Sequence, residues 1–372
     1  MSSQTVSKRS IGRSRTQRHR PAGMRIFIVI FLLLHFPLFV YPVLRLASWL
    51  ELGTLVTLLI LVPVAGSQII SRWLLRPLSH PAVRRVRQVL DMALGISPVV
   101  LALLLIAELL VLAAVFEAQT AAWLVISAST LVMLAGIAAA CRPSVQKVSF
   151  TTERLQAPLR FVQITDVHIG SRSAQFLAGV VARIKRLEPA FVCITGDFID
   201  AWGVPESDLA SLRSLECPIY FCTGNHERYE DFDAILERLR NLGVNVLRSE
   251  AMMARTDVQV IGIDDRDDAL QVARELPKIS LAPEAFKVLL YHRPQGLDAA
   301  EAAGIDLMIA GHTHNGQIIP FNLLVQRVFR QICGLYEKGQ ARLYVSPGTG
   351  TWGPVLRVGT RSEITLFELE VI

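Results

Sequence analysis

None of the five cysteines, Cys141, Cys193, Cys217, Cys222 and Cys333, stands in a CxxC pair or at thiolate-zinc spacing. A structural zinc site of that kind is excluded, and nothing demands an oxidising compartment. Cys193 and Cys222 fall inside apolar runs and read as small buried hydrophobes. Acidic residues are scarce in the first part: residues 1–146 hold 14 Lys/Arg against 4 Asp/Glu, net +10, whereas residues 147–372 hold 24 against 28, net −4. The overall charge of +6 therefore belongs to the first part. It reads as a membrane orientation signal and not as a nucleic-acid-binding face, so no nucleic-acid partner is expected. No internal repeat or low-complexity segment follows residue 158.

Apolar residues, by contrast, are in excess, at 52% with a mean hydropathy of +0.41. Part of the chain therefore belongs in lipid. Residues 1–25 carry seven Lys/Arg and no acid, and read as a disordered cytoplasmic tail. Four apolar stretches follow within residues 26–141, at about 26–44, 53–70, 94–116 and 121–140, each near the ~20 residues that cross a bilayer. Arg72, Arg76, Arg84, Arg85 and Arg87 lie between the second and third, while the flanking connections carry little charge. That alternation places the N-terminus and the C-terminal part in the cytoplasm of a multi-pass inner-membrane protein. A cleaved signal peptide fits poorly, because the first apolar run is too long and three more follow. Two polar residues interrupt the spans. Glu108 reads either as a functional intramembrane acid or as packing glue, and His35 as a residue facing a neighbouring helix.

Residues 142–158, with Pro143 and Pro158 around a polar run, read as a linker to a domain spanning 159–372. That domain alternates apolar strands with amphipathic helices, the pattern of an α/β fold. Ser173 is placed to cap a helix whose stripe of Phe176, Leu177, Val180, Val181, Ile184 and Leu187 faces a core. Two more helices are expected at 231–242 and 295–303, each closed by a glycine.

Five short motifs sit where apolar strand runs end: DVHIG with Asp166 and His168, GDFID with Asp197, GNHE with Asn225 and His226, YHRP with His292, and GHTHNGQ with His312 and His314. The chain has only five histidines after Lys147, and all five fall in these motifs. Two imidazoles one residue apart at a strand end can turn towards one point, which is a metal-site geometry. Carboxylate, amide and imidazole donors in this number suit a pair of divalent cations such as Mn²⁺, Fe²⁺ or Zn²⁺. Asp200, Glu227 and Arg228 are candidates to orient ligands or are ordinary loop residues, the latter reading being favoured for Arg228. Asp264, Asp265, Asp267 and Asp268 lack a histidine and read as a solvated turn.

The order DxH, GD, GNHE, YH, GHxH resembles the calcineurin-like metallophosphoesterase superfamily over about residues 159–372. GHTHNGQ with the stretch Ser346 to Leu369 resembles its YkuE/YaeI subgroup and the transmembrane proteins carrying such a domain. The resemblance implies an αββα sandwich, here preceded by a four-helix transmembrane region, and hydrolysis of a phosphoester. It implies that Asp166, His168 and His314 hold one metal, that Asn225, His292 and His312 hold another, and that Asp197 bridges them. His226 then faces the phosphate as the catalytic residue. The subgroup most often has Gly where this chain has Asn315, a change expected to touch the loop and not the metals.

Phe321 to Gln340 interleaves apolar residues with Arg327, Arg330 and Lys338. It reads either as a cover at the membrane interface or over an acyl chain, or as a helix on the domain's own core. The tether and the resemblance together favour a lipid-linked phosphodiester or pyrophosphate such as UDP-diacylglucosamine. The rivals are a soluble nucleotide or a phosphoprotein as substrate, a non-catalytic scaffold, and a transport or sensing unit regulated by the hydrolase domain.

Overall fold

The computed structural model describes residues 33–75 and 80–372. The tail expected at 1–25, the start of the first expected span at 26–32, and Arg76 lie outside them. The remainder of the first expected span lies in a shorter apolar helix, Leu33–Trp49, and three further helices have the length and apolarity to cross a membrane: Thr54–Leu74, Ala82–Leu112 and Ala118–Cys141. The helix Ala82–Leu112 begins earlier than its apolar run, so Arg84, Arg85 and Arg87 ride on its first turns and not in a loop. Glu108 accepts a 2.6 Å hydrogen bond from Arg45, and Arg45 in turn lies over the Trp49 ring at 4.9 Å. Glu108 is thus paired within the helix bundle.

Twelve strands form two six-stranded mixed sheets among the described residues. In chain order they are β1 Ser144–Thr152, β2 Leu159–Ile164, β3 Val192–Thr195, β4 Ile219–Cys222, β5 Val244–Val246, β6 Glu250–Arg255, β7 Val258–Gly262, β8 Phe286–Leu290, β9 Leu307–Ala310, β10 Gly334–Lys338, β11 Ala341–Val345 and β12 Glu363–Val371. One sheet runs β1-β12-β2-β3-β4-β5, the other β10-β11-β9-β8-β7-β6. The stretch read as a linker is therefore an edge strand. Its nine residues pair in parallel with β12 from Ser144↔Glu363 to Thr152↔Val371. Its polar sequence conceals this because only Val148 is buried, as edge strands with a solvated face allow.

Near-continuous apolar runs explain why β2, β3, β4, β8 and β9 sit inside: both of their faces are covered. Between the sheets Phe161 stacks on Phe191 at 4.8 Å and on Phe367 at 4.7 Å, with Cys193 and Cys222 in the same core. On the outer face of the first sheet packs the helix Ala174–Lys185, whose cap Ser173 accepts from the Phe176 amide. The helix Phe232–Asn241 covers the same face. Leu297–Ala302 covers the other sheet.

Asp264 and Asp265 are not a solvated turn but buried. Asp264 accepts from Thr223 at 3.0 Å and pairs with Arg248 at 2.9 Å, while Asp265 accepts twice from Arg293 at 3.0 and 2.9 Å. Their arginine partners lie 16 and 28 residues away, beyond what local charge spacing reveals.

The helix ends and the α/β part are packed on each other directly. A side chain at Gly95 would lie 2.9 Å from Pro354, and one at Gly136 would lie 2.6 Å from Leu356. The Gly136 carbonyl accepts the Arg357 amide at 3.1 Å, and Gln88 donates to the Ser171 carbonyl at 2.6 Å.

Candidate metal centre

The parallel strands β2, β3 and β4 in one sheet, and β8 and β9 in the other, bring their carboxyl ends to one side, where α/β folds place ligands. Five motif loops follow these ends. They deliver two groups of donors, Asp166, His168 and His314, and Asp197, His292 and His312, each within 4.8 Å of one another. A third grouping, His168, Asp197 and His226, links them through the same carboxylate. Asp197 Oδ2 lies 3.2 Å from His292 Nε2 and 4.0 Å from His226 Nε2. His314 Nε2 is 3.3 Å from Asp166 Oδ1 and 3.1 Å from His168 Nε2, and His312 Nδ1 is 3.1 Å from His292 Nε2.

Close approach of the loops requires glycine in two motifs. A Cβ on Gly224 would meet Asp197 Oδ1 at 2.2 Å, and one on Gly311 would meet Asp166 Oδ2 at 2.2 Å. The loops also carry backbone strain: Asp166, His168, Asp197, His312 and His314 all adopt positive φ, between 49° and 70°. Each such non-glycine residue costs on the order of 1 kcal/mol or more, and strain of this kind gathers at functional sites. Asn315 is also left-handed, at φ 50° and ψ 34°, a conformation that asparagine tolerates better than most residues. Asparagine in place of a glycine thus leaves the loop's path possible.

Charge and ring orientation are set by the neighbours of each donor. His292 Nδ1 lies 2.8 Å from the Thr195 carbonyl and takes the donor role there, while Nε2 faces the Asp197 carboxylate. Asp200 lies 3.3 Å from His168 Nδ1 and also accepts from the Ser171 amide at 2.8 Å. Burial pulls the His292 imidazole down, but the Asp197 carboxylate outweighs it and the pKa is pushed up to about 10. Burial, with His292 beside it, pushes His312 down to about 3. Burial opposes charge on Asp197 as well, yet His292 and His226 hold its carboxyl well below the usual range. Asn225 Oδ1 is buried with no hydrogen-bond partner, an acceptor awaiting a cation. These donors fit a pair of hard-to-borderline divalent ions.

Around the donors lie braces. Glu227 is fully buried and accepts the backbone amides of Asp197, Phe198, Ile199 and Gly224 at 3.1, 2.6, 3.0 and 2.9 Å, tying two motif loops together. Burial pushes its carboxyl up to about 7. Arg357, which sequence reading missed, is fully buried and donates to the carbonyls of His314, Pro347, Gly348 and Gly350. No local pattern marks an arginine whose partners are main-chain carbonyls of other loops. Arg228 donates to the Asp265 carbonyl at 3.1 Å, a loop contact.

Paired Asp/His clusters at converging strand ends suit metal-dependent phosphoester hydrolysis, and residues 159–316 match the calcineurin-like phosphoesterase family. That segment is therefore a calcineurin-like metallophosphoesterase domain. It is 31% identical to an uncharacterized metallophosphoesterase of Campylobacter jejuni, over 61% of this chain and 63% of that protein. It is 31% identical to the Danio rerio transmembrane protein with metallophosphoesterase domain, over 66% and 62%. It is 27% identical to the uncharacterized metallophosphoesterase YkuE of Bacillus subtilis, over 57% and 79%. In the first two comparisons the chain spans under two thirds of the relative's length.

Proposed function

We propose that this chain is a membrane-anchored phosphoesterase that hydrolyses a phosphodiester or pyrophosphate at the cytoplasmic face of the inner membrane. The observation that carries this reading is the pair of adjoining donor clusters, with His168 of one and Asp197 of the other grouped with His226 between them. Asp166, His168 and His314 would hold one divalent cation and Asn225, His292 and His312 another, with Asp197 placed to serve both. Bound there, two such ions would neutralise phosphate charge and lower the pKa of a nucleophilic water.

The protein's own part is positioning and proton transfer. Glu227 and Arg357 fix the loops, and Asp200 orients the His168 ring. His226 is off the two clusters' centres, with its side chain 21% exposed and Nε2 towards the Asp197 carboxylate. That atom holds a proton for the leaving oxygen and hydrogen-bonds phosphate oxygens, a role worth on the order of 10²–10⁴ in rate. Burial lowers the imidazole's pKa, and the Asp197 carboxylate opposes that shift.

Residues 26–141 form the anchor with four spans, and residues 159–372, extended by β1, form the catalytic domain. The substrate is lipid-linked, as a UDP-diacylglucosamine-like molecule would be; the direct packing of the helix ends on the α/β part supports chemistry at the membrane face. The test is release of p-nitrophenol from bis-p-nitrophenyl phosphate and cleavage of UDP-diacylglucosamine by the detergent-solubilised full chain with Mn²⁺. Activity that vanishes in His226→Ala supports the reading. Silence of the metal-loaded protein on both substrates overturns the substrate class.

A further inference from the structure

A cavity of about 810 Å³ opens beside the metal centre. At one end it touches Asp197, Asn225, His226 and His312; at the other it touches Leu34 and Leu38 of the first apolar helix and Leu94 and Pro98 of the long one. Its roof is the helix Asn322–Val328, none of whose residues is buried; Leu323 and Leu324 are 58% and 60% exposed. This helix is therefore not a piece of the domain's own core. Its neighbours Phe329 and Ile332 are buried and hold it down, with the Phe329 ring 5.2 Å from His312.

We propose that this chamber holds a hydrocarbon chain of the substrate, which enters sideways from the bilayer between the helices Leu33–Trp49 and Ala82–Leu112. The inference rests on the phosphoesterase reading and adds where the tail lies. The lining joins Leu34, Leu38 and Leu94 of the apolar helices to the donor cluster and is mostly apolar between them, a path along which a hydrocarbon chain stays out of water. A polar or nucleotide occupant would leave its hydrogen-bonding groups unmatched along such walls. The size lies within the 300–1,000 Å³ typical of small-molecule pockets. The membrane helices are in consequence part of the substrate site, and the helix 322–328 is its cover.

The test uses the full chain in phosphatidylcholine nanodiscs with Mn²⁺ and a series of methyl, butyl and octyl p-nitrophenyl phosphodiesters. Each buried methylene is expected to raise kcat/KM by about threefold to fourfold. The octyl-to-methyl ratio within Leu324→Gln, and separately within Leu94→Gln, should fall at least tenfold below that of the native chain. A binding arm needs no turnover: 12-bromododecylphosphonate added to metal-free protein should quench Trp352, which lines the chamber. The signal is the difference between the native chain and Trp352→Phe, which removes quenching of tryptophans elsewhere. A flat chain-length series, or quenching equal in both proteins, overturns the chamber proposal. Specific quenching without hydrolysis of any ester would keep the chamber and overturn the proposed substrate class.

Discussion

Two clefts meet at His226, and they differ in nearly every respect. One is the apolar chamber of about 810 Å³; the other is a polar cleft of about 290 Å³ lined by Arg72, Arg84, Arg87, Asp91 and Trp202 among others. Trp352 borders both. The arginines that read as an orientation signal thus also stand over the candidate active site, and the apolar spans also form its other wall. An apolar wall and a polar wall thus stand side by side at the candidate site, a division suited to the amphiphile proposed above. The long apolar helices supply residues to both.

The sharpest way to break this picture is at Asp197, the carboxylate grouped both with His292 and His312 and with His168 and His226. Asp197→Asn should lower kcat/KM by about 10³-fold or more, as loss of a group that acts in a coupled unit does. Bound metal per chain should fall in the same variant, read by elemental analysis. His226→Ala should lower kcat by about 10²–10⁴ while leaving metal content intact. Equal metal loss in both variants would place His226 among the ligands.

Smaller effects separate the walls. Gly136→Val would force a side chain against Leu356 and the Arg357 carbonyl. Overpacking of this kind costs about 1–3 kcal/mol, visible as a lowered thermal midpoint. Long-chain esters should suffer more than methyl esters, because the shifted 354–357 loop borders the chamber through Pro354. The smallest change is expected for Arg84→Gln. Arg84 lies 3.8 Å from Asp208 and lines the polar cleft. Its mark should be a modest rise in KM for substrates with a charged headgroup, larger than any change for methyl esters without one.

Much of this site was legible because apolar strands announce themselves by run length, and the motif donors stand within four residues of their ends. Ser173 marked its helix start for the same local reason: a cap bonds to the amide three residues on. The signals that failed were long-range. Glu227 looked like any loop acid, yet it binds amides around residue 198. β1 looked like a linker because its partner, β12, lies over two hundred residues away. The buried Asp264 and Asp265 were disguised by sequence neighbours of like charge, and their arginines are distant. Left-handed backbone at five of the seven expected metal ligands has no compositional mark at all, since aspartate and histidine do not advertise it as glycine does.

The most direct test of the central claim is metal stoichiometry of the purified full chain, measured by elemental analysis beside bis-p-nitrophenyl phosphate turnover. Two divalent ions per chain, with turnover that tracks their removal and return, is the predicted result. A chain that binds no divalent metal and releases no p-nitrophenol would contradict it.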